Sequence, residues 1–473
     1  MSDISHLSKL ILDEIGIDLS ILKSLEPVKR TNYKAAINWL TKEYKLSPNA
    51  SNLNKVHFLL ESFHHLCDAE AWIQASKILL VPMKTPTGED LHNQLATWGY
   101  YQKQIELYTR LLSEDSFSEN TIFLNGIANA YFTVGNYSLA IDYHSRGLAQ
   151  EQKSKNQEGE AASLKNLGTV YYSAGDYTKA IELFEKSLEL SRELKDLHGE
   201  ATVLGELGSV YHDQGNYSEA ITCWRKTLDI AQEFKDLEGE AGSLVNIGVA
   251  YKNIEKFDEA IEWLEQGLQV FRTIGNQQGQ GKALNNLGGV YFRLKQYDKA
   301  LELYQNRLDI AQESGELEGE LVATGNLGNV YNEIGVYERA IDYYRKSLSV
   351  AQTIGNQLRE GLLLLNIGSN FFAIKEYTDA AKYFQDGLKI LQQLGYRRGE
   401  EVALKNLAAV YEAVGDRRTS RYYHQQYLSI SVKQLNNSNN DGQTVKSFLI
   451  KVWDSCIKLL KFITSYFSRI SVY

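Results

Sequence analysis

The chain has 473 residues, and its 59 Asp and Glu residues outnumber its 50 Lys and Arg residues, giving a formal net charge of −9. This acidic balance, with no basic stripe along the units described below, argues against nucleic-acid binding. Three widely separated cysteines exclude a disulfide framework and are typical of a reducing, cytoplasmic compartment. Asp3 and Glu14 stand where a secretory signal has its basic and apolar stretches, so no signal peptide is expected.

Residues 1–120 are the least regular part of the chain, and all four prolines lie there. The segments YKAAINWL from 33, AWIQASKILL from 71 and WGYYQKQIELYTRLL from 98 have amphipathic helical patterns. We expect degenerate helical hairpins here that cap the open end of a repeat array. An independent signalling domain is the alternative interpretation.

One predicted helix in this region carries three histidines and a cysteine: His57, His64, His65 and Cys67. His64 and Cys67 are spaced so that both could face one ligand. A closed zinc site needs four ligands, usually with recurring spacing, and this stretch has a single cysteine. Ordinary helical packing is therefore the interpretation, and no metal is predicted.

Residues 121–434 consist of eight units that recur every 40 residues, as in SLKNLGTVYYSAGDYTKAIELFEKSL from 163 and SLVNIGVAYKNIEKFDEAIEWLEQGL from 243. Apolar and small residues recur at the spacing of one helix face before and after a glycine-containing turn, so each unit is predicted to be a helical hairpin. We number the unit that starts at 161 from position 1. Glycine then recurs at position 8 and alanine at position 20. Glycine inside a helix costs ~1 kcal/mol relative to alanine, so its recurrence predicts a close approach of two helices.

The run NQQGQGKALNN from 276 matches the phosphate-binding pattern G-x-x-x-x-G-K-[ST] only in part. Asn276 replaces its first glycine, and Ala283 follows Lys282 where Ser or Thr is needed. Nearly the same string, NQEGEAASLKN, occurs 120 residues earlier. These glycines are interpreted as the join between two units, and no nucleotide or other cofactor is expected.

Leu-Gly at positions 7 and 8, Tyr at 11, Ala at 20 and an aromatic residue at 24 resemble the tetratricopeptide repeat. The 40-residue length, and a Gly-Glu pair such as Gly199 and Glu200 before the next unit, resemble the longer variety. That variety occurs in kinesin light chains, spindle-orientation scaffolds and bacterial signalling proteins. The resemblance implies an all-α, right-handed superhelical solenoid with a concave groove that holds peptides.

Position 6 of the first helix is predicted to lie on the exposed, concave side. Asparagine, a poor residue for a helix interior, fills six of seven successive places there, and Glu206 fills the other. In the resembling families such asparagines contact the ligand backbone, since an amide both donates and accepts. The alternative is that each amide bonds an adjacent repeat and sets the stacking angle. The predicted peptide-binding asparagines are Asn166, Asn246, Asn286, Asn326, Asn366 and Asn406, together with Asn329 at position 9.

Positions 12 and 13 vary between units and are predicted to give the groove its specificity. Their mixture of aromatic and charged residues indicates a ligand with both apolar anchors and charges. A solvated groove with scattered aromatic residues is the alternative. The residues predicted to contact the ligand here are Tyr172, Lys252, Asn253, Phe292, Arg293 and Phe372.

Residues 435–444, LNNSNNDGQT, have the composition of a flexible linker. Residues 445–473 carry four lysines and one arginine against one aspartate, a net charge of +4 that leaves −13 on the rest. Their pattern predicts a basic amphipathic helix, too interrupted by lysine to span a bilayer. A cap on the last unit, a membrane-surface anchor and a self-association helix are the three interpretations. The predicted membrane-surface residues are Lys451, Trp453, Lys458, Lys461, Phe462 and Phe467.

The sequence contains no recognisable serine–histidine–aspartate set, nucleophile elbow or kinase motif. It therefore predicts a non-enzymatic scaffold that binds a peptide or a partner segment in its groove, with attachment to a membrane surface as a further expectation. The alternative is a peptide-sensing regulatory protein, or the detached sensing arm of a bacterial signalling system.

Overall fold

The computed structural model describes residues 12–42, 50–83, 85 and 87–438. Within these ranges the secondary structure is helical, and the β-contact found there is an isolated bridge between Pro82 and Asp90. The all-α prediction is confirmed. The predicted amphipathic helix at 445–473 lies outside the described residues.

The described part of the N-terminal region contains a helical turn at residues 12–15, a short 3₁₀ turn, Leu19–Lys23, and five longer α-helices that share one buried core with the first repeat. This core runs from Ile15 through Phe63 and Tyr108 to Ile127. The region is therefore continuous with the repeats that follow, as expected of a cap. The helices are α1 (Pro27–Thr41), α2 (Asn52–Asp68), α3 (Trp72–Leu79), α4 (Leu91–Thr97) and α5 (Tyr101–Leu112).

Eight helix pairs follow, and within each of the two compact units of the chain consecutive helices pack against each other, as is typical of a tetratricopeptide-type solenoid. The first helices of the pairs are α6 (Thr121–Thr133), α8 (Gln157–Ser173), α10 (Leu197–Asp213), α12 (Leu237–Asn253), α14 (Gln277–Arg293), α16 (Leu317–Glu333), α18 (Gln357–Ala373) and α20 (Arg397–Ala413). The second helices are α7 (Tyr137–Ser154), α9 (Tyr177–Glu193), α11 (Tyr217–Phe234), α13 (Phe257–Thr273), α15 (Tyr297–Ser314), α17 (Tyr337–Thr353), α19 (Tyr377–Gln393) and α21 (Arg417–Ser438).

The chain divides into two compact units, Met1–Gly239 and Glu240–Tyr473. This division falls inside α12. At the other end, α21 continues to Ser438, so the first four residues of the predicted linker 435–444 are helical. The rest of that segment lies outside the described residues.

Glycine at position 8 lets the two helices of a hairpin come close. A Cβ atom built at Gly168 would lie 2.7 Å from the ring of Phe184, and one at Gly288 would lie 2.6 Å from the ring of Tyr304. Both distances are too short for real atoms, so the close approach predicted from the sequence is confirmed. Position 20 needs a small side chain for the same reason, and the alanines there, from Ala140 to Ala380, are 0% exposed.

The joins between hairpins have their own recurring contacts. The side chain of Asp196 caps α10 by accepting from the backbone N–H of Gly199 at 2.9 Å. One residue further on, the carboxylate of Glu200 accepts from the Nε–H group of Arg192 at 2.7 Å. At an earlier join, the carboxylate of Glu160 accepts in the same way from the amide N–H of Gln152 at 2.8 Å. The glutamate of these joins lies in the first turn of the following helix, where the helix dipole favours its charge. In these joins it also has a specific partner eight residues earlier in the preceding helix.

Candidate functional site

The second unit, Glu240–Tyr473, contains a cavity of about 470 Å³ between its hairpins. Residues of α16, α17 and α18 form most of its wall, and one residue of α14 completes it. No carboxylate is among the lining residues, which are Asn285, Leu321, Val322, Gly325, Asn326, Asn329, Tyr344, Ser347, Arg359, Leu362, Leu363 and Asn366.

Three of the predicted asparagines, Asn326, Asn329 and Asn366, come together in this cavity. Asn326 is half-buried, and its side-chain N–H donates to the Oδ1 atom of Asn285 in the preceding hairpin at 2.7 Å. Asn366 is exposed, and within the described part of the chain its amide has no hydrogen-bond partner. In this cavity the amide of Asn326 is therefore engaged in a contact between hairpins, whereas that of Asn366 is available to a ligand.

Asn286 also serves the contact between hairpins. Its Oδ1 atom accepts from the ammonium group of Lys252 in the preceding hairpin at 2.7 Å, and its N–H group donates to the Lys282 carbonyl at 3.0 Å. Asn286 and Asn326 thus both contact the preceding hairpin through their side chains. Asn166 belongs to the first unit, and Asn246 and Asn406 do not line the cavity.

Tyr344 and Ser347 form the floor of the cavity. The buried hydroxyl of Tyr344 donates to the Oδ1 atom of Asn329 at 2.7 Å, which leaves the N–H groups of that amide to face a ligand. Burial raises the pKa of Tyr344, so the hydroxyl keeps its proton and remains a donor. Ser347 donates to the carbonyl of Leu321 at 2.9 Å, which fixes α17 against α16.

Arg359 is the cationic group of the cavity, and it interrupts the glycine pattern of the joins. At Gly279 an added Cβ would collide with Phe271, eight residues earlier, whereas Ala351 takes that place before Arg359. The smaller neighbour leaves room for a side chain. Arg359 is exposed and, among the described residues, forms no ion pair. The corresponding residues of the other joins are Gly159, Gly199, Gly239, Gly279, Gly319 and Gly399.

Lys252 and Arg293 form a second cationic patch in the same unit, outside the cavity lining. Lys252 is half-buried, and burial, together with the charge of Arg293, lowers its pKa. Arg293 forms an ion pair with Glu255 and lies 5.8 Å from the ring of Phe257. Asn253 is exposed beside Lys252. These groups can favour an anion, although each charge is already partly engaged within the protein.

The predicted aromatic anchors are half-buried rings that pack within their own hairpins. Phe292 lies 5.9 Å from the ring of Tyr297, and Phe372 lies 5.5 Å from the ring of Tyr377. In the first unit, Tyr172 packs on Tyr177, and its hydroxyl donates to Asp213 of the next hairpin at 2.7 Å. None of these rings lines the cavity. The structure therefore gives them a packing role that periodicity alone did not reveal.

Nine of the twelve cavity residues were not among the predicted ligand contacts, and Asn285, Gly325, Tyr344 and Arg359 are the ones that differ most from ordinary core packing. Arg359 left a readable signal, because it is the place where the Gly-Glu pair of the joins becomes Arg-Glu. Tyr344 occupies the core aromatic position 24, so its second role as a hydrogen-bond donor could not be distinguished from packing. Asn285 and Gly325 lie at position 5, which varies between units.

The histidine cluster of the N-terminal region is engaged in contacts with other side chains. The Nδ1 atom of His64 lies 3.3 Å from the guanidinium of Arg110, and its Nε2 atom lies 3.5 Å from the carboxylate of Glu106. The Nδ1 atom of His65 lies 3.1 Å from the Oδ1 atom of Asn32. Burial raises the pKa of the Cys67 thiol to about 12. In the described residues no three His, Cys, Asp or Glu side chains are grouped to hold a metal ion.

The predicted membrane-surface residues, from Lys451 to Phe467, lie outside the described residues. Of the helices that the structure describes, none has an apolar stretch long enough to cross a bilayer.

Sequence models of the tetratricopeptide repeat match residues 118–193, 199–273 and 280–353, and a second such model matches residues 240–315. These matches cover the helix pairs from residue 121 to residue 353. The chain is a tetratricopeptide-repeat protein. No curated protein matches it in sequence. Its repeat fold is a scaffold type associated with protein interaction.

Solved structures similar to this tetratricopeptide-repeat protein include a signal transduction ATPase with a tetratricopeptide repeat sensor from Pyrococcus horikoshii. That match has 16% identity and a TM-score of 0.57, and it covers 93% of this chain and 64% of the archaeal one. Aspartyl phosphate phosphatase F from Bacillus subtilis has 13% identity, a TM-score of 0.48 and coverages of 72% and 92%. The kinesin-light-chain repeats from Podosopora anserina have 20% identity, a TM-score of 0.37 and coverages of 42% and 98%.

Proposed function

We propose that the protein is a non-enzymatic scaffold that binds an extended peptide segment of a partner protein in the cavity of its second unit. The observation that carries this proposal is the position of Asn326, Asn366 and Arg359 around one cavity of about 470 Å³. That volume lies in the range of ~300–1,000 Å³ that is usual for ligand pockets.

The cavity residues have complementary roles in this proposal. The amide of Asn366 pairs with the N–H and C=O groups of the peptide backbone, which makes binding tolerant of sequence. Arg359 pairs with an acidic group of the ligand, since its guanidinium has no carboxylate partner among the described residues. Leu362 and Val322 form the apolar part of the wall. The preferred ligand is an extended segment with an acidic residue next to an apolar one.

The experiment is selection of peptides from a random displayed library with the full chain, followed by affinity measurement of the selected peptides by fluorescence anisotropy. Asn366→Ala removes the available amide and is expected to weaken binding by ~0.5–1.5 kcal/mol. Arg359→Gly restores the residue of the other joins and should weaken acidic peptides by ~1.5–3 kcal/mol. Asn166→Ala, at the same repeat position in the first unit, is the matched control and should bind as the wild type does. Failure to select any peptide would refute the proposal.

The second candidate is a peptide-sensing regulator, favoured by the similarity in fold to a protein described as carrying a tetratricopeptide repeat sensor. A sensor must change structure or dynamics away from its ligand. Hydrogen exchange measured with and without a selected peptide separates the two candidates. Protection confined to α16, α17 and α18 supports a scaffold, and altered exchange in other helices of that unit supports sensing.

We further propose that the basic C-terminal segment, 445–473, attaches the protein to an anionic membrane surface on the cytoplasmic side. Its net charge of +4 and the aromatic residues Trp453, Phe462 and Phe467 support this role. Replacing Lys451, Lys458 and Lys461 by Gln should then weaken binding of the full chain to vesicles that contain phosphatidylserine.

A further inference from the structure

The N-terminal region contains a second cavity, of about 460 Å³, which has no part in the peptide binding proposed above. It lies in the first compact unit, between the start of α2, the end of α4 and the loop that precedes α4. Its volume is within the range of ~300–1,000 Å³ that is usual for ligand pockets. No carboxylate is among the described residues that line it.

The loop wall of this cavity is held by backbone contacts. The N–H group of Met83 donates to the carbonyl of Glu89 at 2.8 Å. The bridge between Pro82 and Asp90 closes the same loop one residue further out. The cavity therefore has a wall of defined backbone on this side, opposite the two helices.

Gln94 of α4 is the buried polar group of the cavity, and it is only 1% exposed. Its Oε1 atom accepts from the hydroxyl of Thr87 at 2.8 Å and also from the hydroxyl of Thr85. Both hydroxyls are on the oxygen side of the amide, and its N–H groups have no acceptor among the described residues. Because unused buried donors cost free energy, these N–H groups favour a ligand that supplies an acceptor.

Lys55 gives the cavity a positive charge. It is exposed, donates to the Oδ1 atom of Asn52 at 3.3 Å and forms no ion pair with a described residue. Both residues lie at the N-terminal end of α2, where free backbone N–H groups favour negative charge. Glu89 accepts from the hydroxyl of Thr97 at 2.8 Å and does not line the cavity. The cavity therefore favours an anion.

The rest of the wall is largely apolar. Val56 is fully buried, and Met83 and Trp98 are half-buried side chains that pack on the core of the region. An apolar group of a ligand can contact these three side chains while its anionic end pairs with the polar groups of the same cavity. The lining thus fits a molecule that has both parts.

We propose that this cavity binds a carboxylate attached to a short apolar chain. The carboxylate oxygens accept from the amide of Gln94 and the ammonium group of Lys55, and the chain packs on Trp98 and Val56. One lysine matches the single charge of a carboxylate, whereas a phosphate group carries about −1.5 to −2. A free carboxylic acid and the C-terminal residue of a peptide both present this chemistry.

The test is a ligand-observed NMR titration of the full chain with hexanoate and with its uncharged counterpart, hexanamide. N-acetylglycyl-leucine, with a free or an amidated C-terminus, tests the peptide source. Gln94→Met removes the amide donors at similar volume, and Lys55→Gln removes the charge. Lys34→Gln, at an exposed position of α1 outside the cavity lining, is the matched control. Circular dichroism melting curves verify folding, and Lys55→Gln decides the test if Gln94→Met does not fold.

We expect one or both acids to bind, and each amide to bind more weakly than its acid. Gln94→Met should lose about tenfold or more in affinity for the acid, because a hydrogen bond to a charged group is removed. Lys55→Gln should lose about three- to fivefold, since its charge is exposed. Lys34→Gln should bind as the wild type does, and raised salt should weaken binding.

The stronger of the two acids identifies the source as a small molecule or a peptide C-terminus. Absence of binding by both acids, equal binding of acid and amide, or wild-type affinity in Gln94→Met or Lys55→Gln would overturn the inference. Loss of hexanoate binding in Arg359→Gly, with both of these variants binding normally, would place the probe in the cavity of the second unit. That result would support the peptide site and remove this one.

Discussion

The guanidinium group of Arg307 fills the space that a side chain at position 281 would need. A Cβ atom at Gly281 would lie 2.7 Å from the guanidinium carbon, and Gly319 faces the same group from α16. Arg307 is only 5% exposed, and it forms an ion pair of 2.9 Å with Glu316. The GK run of the sequence thus contains a glycine that makes room for a buried arginine, which gives its occurrence at this place a structural reason.

We predict that Gly281 and Arg307 are energetically coupled. Gly281→Ala should cost ~1–3 kcal/mol of unfolding free energy, because the added carbon displaces the buried guanidinium. Arg307→Ser alone leaves a void and an unpaired Glu316. The double variant recreates the combination Ala161 and Ser187 of an earlier hairpin, so its loss should be smaller than the sum of the single losses by ~0.5–3 kcal/mol. Urea denaturation of the four proteins measures this coupling, and strict additivity would contradict it.

Adjacent glycines in α14 give a test of the helix contact. Gly288→Leu should destabilise the protein by at least ~1–3 kcal/mol, because the new side chain meets the ring of Tyr304. At Gly289 an added Cβ has a single neighbour at 3.8 Å, so Gly289→Ala should be neutral or stabilise by up to ~1 kcal/mol through helix propensity. Chemical denaturation distinguishes the two, and similar effects would refute the packing assignment. Gly248→Leu should behave as Gly288→Leu does, because Leu264 occupies the equivalent place.

His144 predicts a loss of stability in mild acid. Burial lowers its pKa from 6.5 to about 4. Between pH 6.5 and about pH 4, this histidine therefore binds a proton in the unfolded chain but not in the folded chain. The free energy of unfolding should therefore fall as the pH drops from about 6.5 to about 4, by up to ~1.4 kcal/mol per pH unit. Below about pH 4 this contribution becomes constant.

The variant His144→Phe, which introduces the residue that Phe184 and Phe384 provide elsewhere, should remove about 3 kcal/mol of this dependence. Burial also lowers the pKa values of His64 and His92, so part of the slope should remain. The exposed His198 supplies the control His198→Gln. An unchanged slope in His144→Phe, measured by urea denaturation at several pH values, would contradict the prediction.

The position-6 asparagines should separate into two classes. Asn326→Ala breaks the bond to Asn285 and should lower stability by ~0.5–1.5 kcal/mol. Asn366→Ala should leave the melting temperature unchanged or raised, because alanine is the better helix former. It should still weaken peptide binding. Melting curves and fluorescence anisotropy on the same samples test this division. A stability loss in Asn366→Ala equal to that of Asn326→Ala would contradict it.

Much of the fold could be predicted from the sequence because its determinants are local and recur. Glycine at position 8 and alanine at position 20 face each other within a hairpin, and both were readable from the period alone. The predicted exposure of position 6 was only partly useful, since Asn286 and Asn326 are half-buried between hairpins. Whether an amide faces a ligand or a neighbour depends on residues 34 to 41 positions away, such as Lys252 and Asn285.

The site itself was harder to predict because it depends on exceptions to the period. Arg359 stands where glycine is usual, next to the small Ala351, and Arg307 fits only because Gly281 and Gly319 have no side chains. Each of these combinations is unique to one hairpin. A pattern averaged over eight units therefore obscures the residues that make a single unit different.

The four residues of the Arg307 arrangement, Gly281, Arg307, Glu316 and Gly319, all fall within the single 40-residue window 281–320. A duplication of that window would copy the buried arginine together with its space and its counter-charge. A deletion of the window would remove all four at once and leave neither an unpaired charge nor an empty space. Such a module can be gained or lost in one genetic event, whereas an arginine acquired alone at position 27 of a hairpin with alanine at position 1, such as the one that starts at Ala161, would meet that side chain.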